Sequence, residues 1–286
     1  MSGSYFLEKI MDTQAFLLKH EFKKAKKYRP EKLKFPVIIE EKIDGMQLRL
    51  MQKFACSRRI NCLGYYDNLF KKLPSEIQNL ASHIPVDGEL YWPGHSASSI
   101  STALATDPTG LKFKGFHIPI FEGYPHEHLD KIAELGISIP RVFLGYCESK
   151  EELYCKPPGE DCLEFHAREW EVEGWILKER IRIVRWWKFK LEETYDLVVT
   201  GHNISTAGRH KGKLKSLRCS AWVGGNFIEV ANVSGMTDAQ RYHFKPENDY
   251  GRVCEVKCQE IASKGRLRHP RFICWRNDKN AKECII

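Results

Sequence analysis

The sequence predicts an α+β protein in two parts: antiparallel sheets with flanking helices in front, and a small all-β barrel behind. Three observations carry this. Helix-period and strand-period segments alternate up to about residue 193, and after it the pattern is nearly all strand. The charge changes at the same place: residues 1–193 hold 29 Lys+Arg against 28 Asp+Glu, and residues 194–286 hold 16 against 9. A chain of 286 residues also suits two domains, at roughly 150 residues each. The expected domains are therefore 1–193 and 194–286.

Residues 8–28 read as a helix with a basic end. Ile10, Phe16, Leu17 and Phe22 fall on one face, and Arg29-Pro30 closes it. Residues 35–41 are strand-like and Asp44-Gly45 signals a turn. In residues 46–51, Met46, Leu48 and Leu50 face one side, with Gln47 and Arg49 on the other. Helices are expected at 74–82, with Pro74 at a first helical position, and at 126–135, closed by Gly136. The apolar runs VDGELYW and FHIPIFEGY between them read as buried strands. A helix around 161–170 precedes the strands EGWILKE and RWWKFK. The back part reads as YDLVVTGH, SLRCSAWV, a Gly224-Gly225 turn, NFIEVANV, GRVCEVKCQEI and RFICWR, with one short helix at 237–243. Short strands, one helix and a basic surface suggest a Greek-key barrel of the OB type.

Composition narrows the class. With 42% hydrophobic and 29% charged residues, disordered and collagen-like chains are excluded. No apolar run reaches the ~18 residues of a membrane helix, and the N-terminus lacks the pattern of a signal peptide. The ten cysteines include no paired C-x2-C spacing, so zinc is not indicated, and they are expected to be reduced thiols of a cytosolic protein. The excess of positive charge in the back part reads either as a solvated face or as a surface for an anion, with nucleic acid the leading partner.

The chemistry starts at Glu40-Glu41-Lys42-Ile43-Asp44-Gly45. Alone, K-x-D-G fits a plain hairpin. Read functionally, it puts a lysine where an apolar strand meets a turn, partly desolvated and suited to act as a nucleophile. An ordered set follows: Ser57-Arg58, Asp87-Gly88-Glu89, Phe121 in IPIFEG, Glu173-Gly174, and Lys188-Phe189-Lys190.

This order of K-x-D-G, S-R, D-G-E, an aromatic strand, E-G and K-x-K resembles the covalent nucleotidyltransferases: ATP-dependent DNA ligases, RNA ligases and capping enzymes. Gly265-Arg266-Leu267-Arg268-His269-Pro270-Arg271-Phe272 resembles the closing strand region of ATP-dependent DNA ligases. Trp186-Trp187-Lys188-Phe189-Lys190 resembles the short ligases of podovirus-type bacteriophages. The resemblance covers about residues 30–280 and implies a nucleotidyltransferase (adenylation) domain followed by an OB-fold DNA-binding domain.

It also implies roles. Lys42 would form lysyl-AMP from ATP, with Lys188 and Lys190 holding the α-phosphate. Glu89 and Glu173 would serve ribose and Mg2+ or another divalent cation, Phe121 would stack on adenine, and Glu40 would meet the adenine edge. Arg58 would grip ribose or the 5′-phosphate of a nick. Where DNA ligases carry arginine five residues after the lysine, this chain has Gln47, so either Gln47 or Arg49 fills that position. Arg209, Lys211, Lys213, Lys215 and Arg218, flanking His210, are expected on DNA phosphates, together with Arg49, Arg266, Arg268 and Arg271. Arg276 and Lys279 resemble the motif that orients the leaving pyrophosphate. The expectation is a cytoplasmic monomer that seals nicked duplex DNA and has no membrane association. An RNA ligase, a capping guanylyltransferase and a non-catalytic nucleic-acid-binding relative are its rivals.

Overall fold

The computed structural model describes residues 13–59, 66–149, 162–180, 185–262 and 265–286. The start of the expected first helix, residue 161 of the helix before EGWILKE, and Cys62 and Cys155 lie outside them. The chain divides into two compact units, Met1–Lys190 and Leu191–Ile286.

The strands of the front unit are β1 Lys26–Lys27, β2 Val37–Glu41, β3 Met46–Met51, β4 Phe54–Ser57, β5 Val86–Tyr91, β6 Lys112–His117, β7 Val142–Cys147, β8 Gly174–Glu179 and β9 Trp186–Lys190. They form a five-stranded sheet in the order β1-β9-β8-β2-β7 and a four-stranded sheet in the order β4-β3-β5-β6. All pairings are antiparallel except β1 with β9. The helices are α1 (residues 13–19), α2 Ser75–Asn79, α3 Ile100–Ala105, α4 Pro125–Glu134 and α5 Cys162–Glu169.

Strand β2 is buried along its whole length, as expected for an apolar run paired on both sides. Strand β3 keeps its alternation: Leu48 and Leu50 enter a core with Ile100 of α3 and Ile132 of α4. On its other face, register sets Gln47 opposite Glu89 and Arg49 opposite Asp87. That polar row carries much of the later chemistry.

Three local expectations need correction. The helix expected over 8–28 stops by residue 20, and Lys26 and Lys27 pair with β9 instead. Side chains of β3 capture the intervening carbonyls: Arg49 Nη1 donates to His20 O, and Gln47 Nε2 to Lys23 O. These bonds and the strand pairing replace the helical ones. The strand read in 116–124 lies earlier, over Lys112–His117. Pro119 has no N–H for a ladder, and the chain turns there, with Phe121 N donating to Ile118 O at 3.1 Å. Pro74 caps α2 from outside rather than opening it, and α3 had no sequence signal.

The back unit comprises β10 Glu193–Ile204, β11 Leu214–Val223, β12 Asn226–Val233, β13 Val253–Cys258, β14 Ile261–Ala262, β15 Arg266–Leu267 and β16 Arg271–Trp275, with the short helices α6 Asp238–His243 and α7 Pro246–Asp249. Five strands form an antiparallel sheet in the order β12-β11-β10-β13-β16, around a core that includes Leu197, Leu217, Val230, Val256 and Phe272. The expected barrel is not fully closed. Its two outer strands meet only at a parallel bridge between Ser234 and Arg271, where Phe272 N donates to Ser234 O at 2.8 Å. Gly235, at φ +89°, turns the chain away there.

Candidate active site

Strand β2 ends at Glu41, and Lys42 is the next residue. Its backbone N–H donates to Gly174 O at 2.9 Å, so the start of β8 fixes it. Gly174 has φ +153°, and a Cβ there would lie 2.2 Å from Phe189 O. Only glycine lets β8 and β9 approach so closely, and the residue before it, Glu173, reaches the lysines. Glu173 Oε2 receives Lys42 Nζ, and Oε1 receives Lys190 Nζ at 2.7 Å. One carboxylate therefore joins the ends of two strands. Lys190 lies opposite Gly174, and Lys188 lies two residues back, opposite Ile176. Period-2 alternation sets both lysines on one face, and Lys188 is exposed.

Burial lowers the Lys190 ammonium below its ordinary range, and the nearby Lys42 charge lowers it further. Glu89, on β5, is pushed up to about 7. Burial is the main cause. Lys42 opposes it, and the negative charges of Glu173 and Asp44 add to it. Arg58, exposed just past β4, also acts on this carboxyl. Gly45 permits this crowding, because a Cβ there would lie 2.4 Å from Leu90 O and 2.6 Å from Glu89 Cγ. Lys42, Glu173, Lys190, Glu89 and Arg58 thus form one charged neighbourhood.

Other expected residues lie elsewhere. Arg49 is 0% exposed and makes a two-point ion pair with Asp87, with its guanidinium 4.5 Å over the Phe22 ring. It is closed off from DNA and does not reach back to the position of Gln47, which corrects both expectations. Gln47 itself is committed to Lys23 O at 3.1 Å. Glu40 is 1% exposed and pairs at 2.7 Å with Lys178, which is equally buried. Burial raises the Glu40 carboxyl and lowers the Lys178 ammonium. Glu40 is therefore engaged by Lys178, whose ammonium also faces the Phe116 ring.

Phe121 packs edge-on to His128, with Lys131 over its ring and the β3–β6 core beneath. Two rings face Lys178 instead: Phe116, near the end of β6, and Trp186, set edge-on to each other. Phe116, Lys178, His117, His128 and Trp186 line a small cavity. Sequence reasoning missed Phe116 and Lys178; the available signal was one lysine in the otherwise apolar GWIL-K run. It also missed Lys114, which shares Glu41 with Arg141. Burial works against the Glu41 charge, but these hydrogen bonds hold its carboxyl below the ordinary range.

In the back unit, most of the expected DNA-contacting arginines already face acids. Arg218 and Arg266 share Glu229, Arg268 meets Glu260, Arg271 meets Glu192, and Arg209 meets Asp238. Lys211, Lys213 and Lys215 are exposed, with no acidic partner among the described residues. Arg276 is held by Asp196 and Asp278, and Lys279 lies 3.7 Å from Glu283.

Among the described residues, no group of three or more His, Cys, Asp or Glu side chains gathers to hold a metal. Glu89 and Glu173 still suit Mg2+, which is commonly held by one or two protein carboxylates plus substrate phosphates. No described helix is long and apolar enough to cross a membrane.

These features belong to a protein with the fold of a DNA ligase. Residues 207–276 match the family model for a DNA ligase OB-like domain. Among solved structures, one from a study of DNA binding by Lig E DNA ligases superposes with a TM-score of 0.68 at 17% identity, covering 90% of this chain and 99% of that one. Pmar-Lig_Pre superposes at 0.66 with 19% identity, over 89% of this chain and 67% of that one. Pmar-Lig_PreS3 gives 0.60 at 19% identity, over 84% and 63%. No curated protein matches by sequence comparison. The particular resemblance is thus in fold, to a Lig E DNA ligase structure over 90% of this chain.

Proposed function

We propose that this chain is an ATP-dependent DNA ligase that seals nicks in duplex DNA through a lysyl-AMP intermediate. The observation that carries the reading is the shared Glu173 carboxylate, which holds Lys42 and Lys190 together at the strand ends. Isolated surface lysines have no reason for that arrangement. A phosphoryl group entering here would meet two ammonium groups, with Lys188 on the same strand face.

In the first step, the Lys42 amine loses its proton and attacks the α-phosphorus of ATP. The P–N bond forms and the bond to pyrophosphate breaks. In the second, an oxygen of the 5′-phosphate attacks the same phosphorus and restores the lysine. In the third, the 3′-hydroxyl attacks the activated 5′-phosphate, forming the phosphodiester and releasing AMP. Lys188 and Lys190 stabilise the phosphate charge. A divalent cation held by Glu89 and Glu173, when bound, adds charge neutralisation at the phosphates. Phe116 takes the base-stacking role expected of Phe121, because its ring stands beside Lys178, the partner of Glu40, and Trp186. The basic face of the back unit, centred on Lys211, Lys213 and Lys215, binds the DNA backbone. The chain acts as a monomer in the cytoplasm.

The test is incubation with α-labelled ATP and Mg2+, then with nicked duplex DNA. Covalent label on the wild type, absent from Lys42→Ala and discharged by nicked DNA with sealing, supports the reading. Labelling by GTP alone would make it a capping-type transferase. Discharge only by RNA ends would make it an RNA ligase. Absence of label with any nucleotide would leave a nucleic-acid-binding relative without transferase activity.

A further inference from the structure

The basic loop between β10 and β11 is short and closed on itself. Ser205 N donates to Lys213 O at 2.9 Å, Gly212 N to Ser205 O at 2.8 Å, and Lys211 N to Gly208 O at 3.1 Å. Gly208 and Gly212, at φ +72° and +77°, supply its left-handed turns. Arg209, Lys211, Lys213 and Lys215 nevertheless crowd four positive charges into seven residues. Their mutual repulsion opposes any fixed arrangement of the side chains.

The short helix α6 meets that crowding on one side. Asp238 carries two loop partners: Arg209 Nη2 on Oδ2, and His210 Nε2 at 3.5 Å from Oδ1. One turn on, the Tyr242 ring lies 4.9 Å from Lys213 Nζ and faces His210 edge-on. Three side chains of the loop, Arg209, His210 and Lys213, thus rest on two side chains of α6. Asp238 is itself held in place, because Thr237 and Gln240 form a reciprocal cap around the start of the helix. Arg209 remains 78% exposed in its side chain, and only its Nη2 is engaged with Asp238.

We infer that Asp238 and Tyr242 are positioning residues for DNA binding. An acid on a DNA-binding face ordinarily weakens binding by repelling phosphate. Here it aligns Arg209 and His210, while Tyr242 aligns Lys213, so that the loop meets the backbone as a prearranged set of donors. The inference rests on the DNA-binding reading above and deepens it.

The two roles of Asp238 predict opposite signs. If it positions the loop, Asp238→Asn lowers the affinity of the full chain for nicked duplex DNA about two- to fivefold, the range of one or two exposed ionic contacts. The slope of log affinity against log salt becomes shallower by up to about 0.9, one lost phosphate contact. If it merely screens charge, the same change tightens binding and steepens the slope, because Arg209 is released to phosphate. Tyr242→Leu should weaken binding and Tyr242→Phe, which keeps the ring, should not. Fluorescence anisotropy across a salt series reads both quantities, and thermal unfolding of each variant checks the fold. Equal or tighter binding by Asp238→Asn in a folded chain overturns the inference. A wild type that binds no duplex overturns the DNA-binding reading and this inference together. A wild type that binds, with the stated loss in Asp238→Asn and Tyr242→Leu, supports both.

Discussion

The Lys42 amine rests on Glu173, which also carries Lys190. Glu173→Gln removes the charge that organises both, and enzyme labelling by α-labelled ATP should fall about 10- to 100-fold. Glu89 gives a pH test. Its folded carboxyl is raised from 4.5 to about 7, so the folded chain holds this proton more tightly than the unfolded one. The contribution to stability is fully present below the unfolded value and is lost as pH rises through 7. The whole effect is roughly 3 kcal/mol. Thermal unfolding without divalent cations should show wild type losing stability between pH 5 and pH 8, and Glu89→Gln losing much less. Positions were legible in the sequence where a motif residue lies at a strand end, as Lys42, Glu173 and Lys190 do. They were not legible where burial decides. Arg49 and Gln47 share a strand face, yet one is sealed against Asp87 and the other holds a backbone carbonyl. Arg49→Met should cost about 3–5 kcal/mol in urea unfolding, through the charge left buried on Asp87. It should leave the salt dependence of DNA binding unchanged.

At the scale of elements, the close pairing of β8 and β9 positions the site. Gly174→Ala would place a Cβ 2.2 Å from Phe189 O, so the two strands must separate and Lys190 must move away from Glu173. Both stability and enzyme labelling should fall, which circular dichroism melts and the labelling assay would show together. Strand alternation made β3, β5, β8 and the long strands of the back unit readable. The errors came where tertiary bonds overrode local preference. The basic tail of the first helix gave way to pairing with β9, and the apolar run around Pro119 became a turn after β6. The same shift put Phe116 rather than Phe121 beside Lys178. In the proposed ligase, Phe116→Ala should therefore raise KM for ATP several-fold more than Phe121→Ala, with the rate of labelling against ATP concentration as the readout.

For the whole molecule, the charge asymmetry seen in the sequence is divided further by pairing. The back unit holds 16 basic against 9 acidic residues from 194 on, and its arginines take up many of those acids. Net charge therefore indicates an anionic partner, while the pairing indicates which cations are available to it. The combined change of Lys211, Lys213 and Lys215 to alanine should reduce the salt slope of DNA binding by about 2–3, near 0.9 per phosphate contact. Removal of Arg218 or Arg266 should alter it less, because Glu229 already compensates them. No count of charges could have separated the two groups, since pairing depends on which strands lie side by side.

The seam between Ser234 and Arg271 gives the back unit a weak point. Every other joint in its five-stranded sheet is a ladder several residues long, while this one is a single bridge. A cylinder joined this way opens along one line at small free-energy cost, with the rest of the wall intact. Amide hydrogen exchange would see this as a gradient. The Phe272 amide, bonded across the seam, should exchange through local opening, well ahead of the amides of β10 at the centre of the sheet. The domain would then breathe at the seam long before it unfolds.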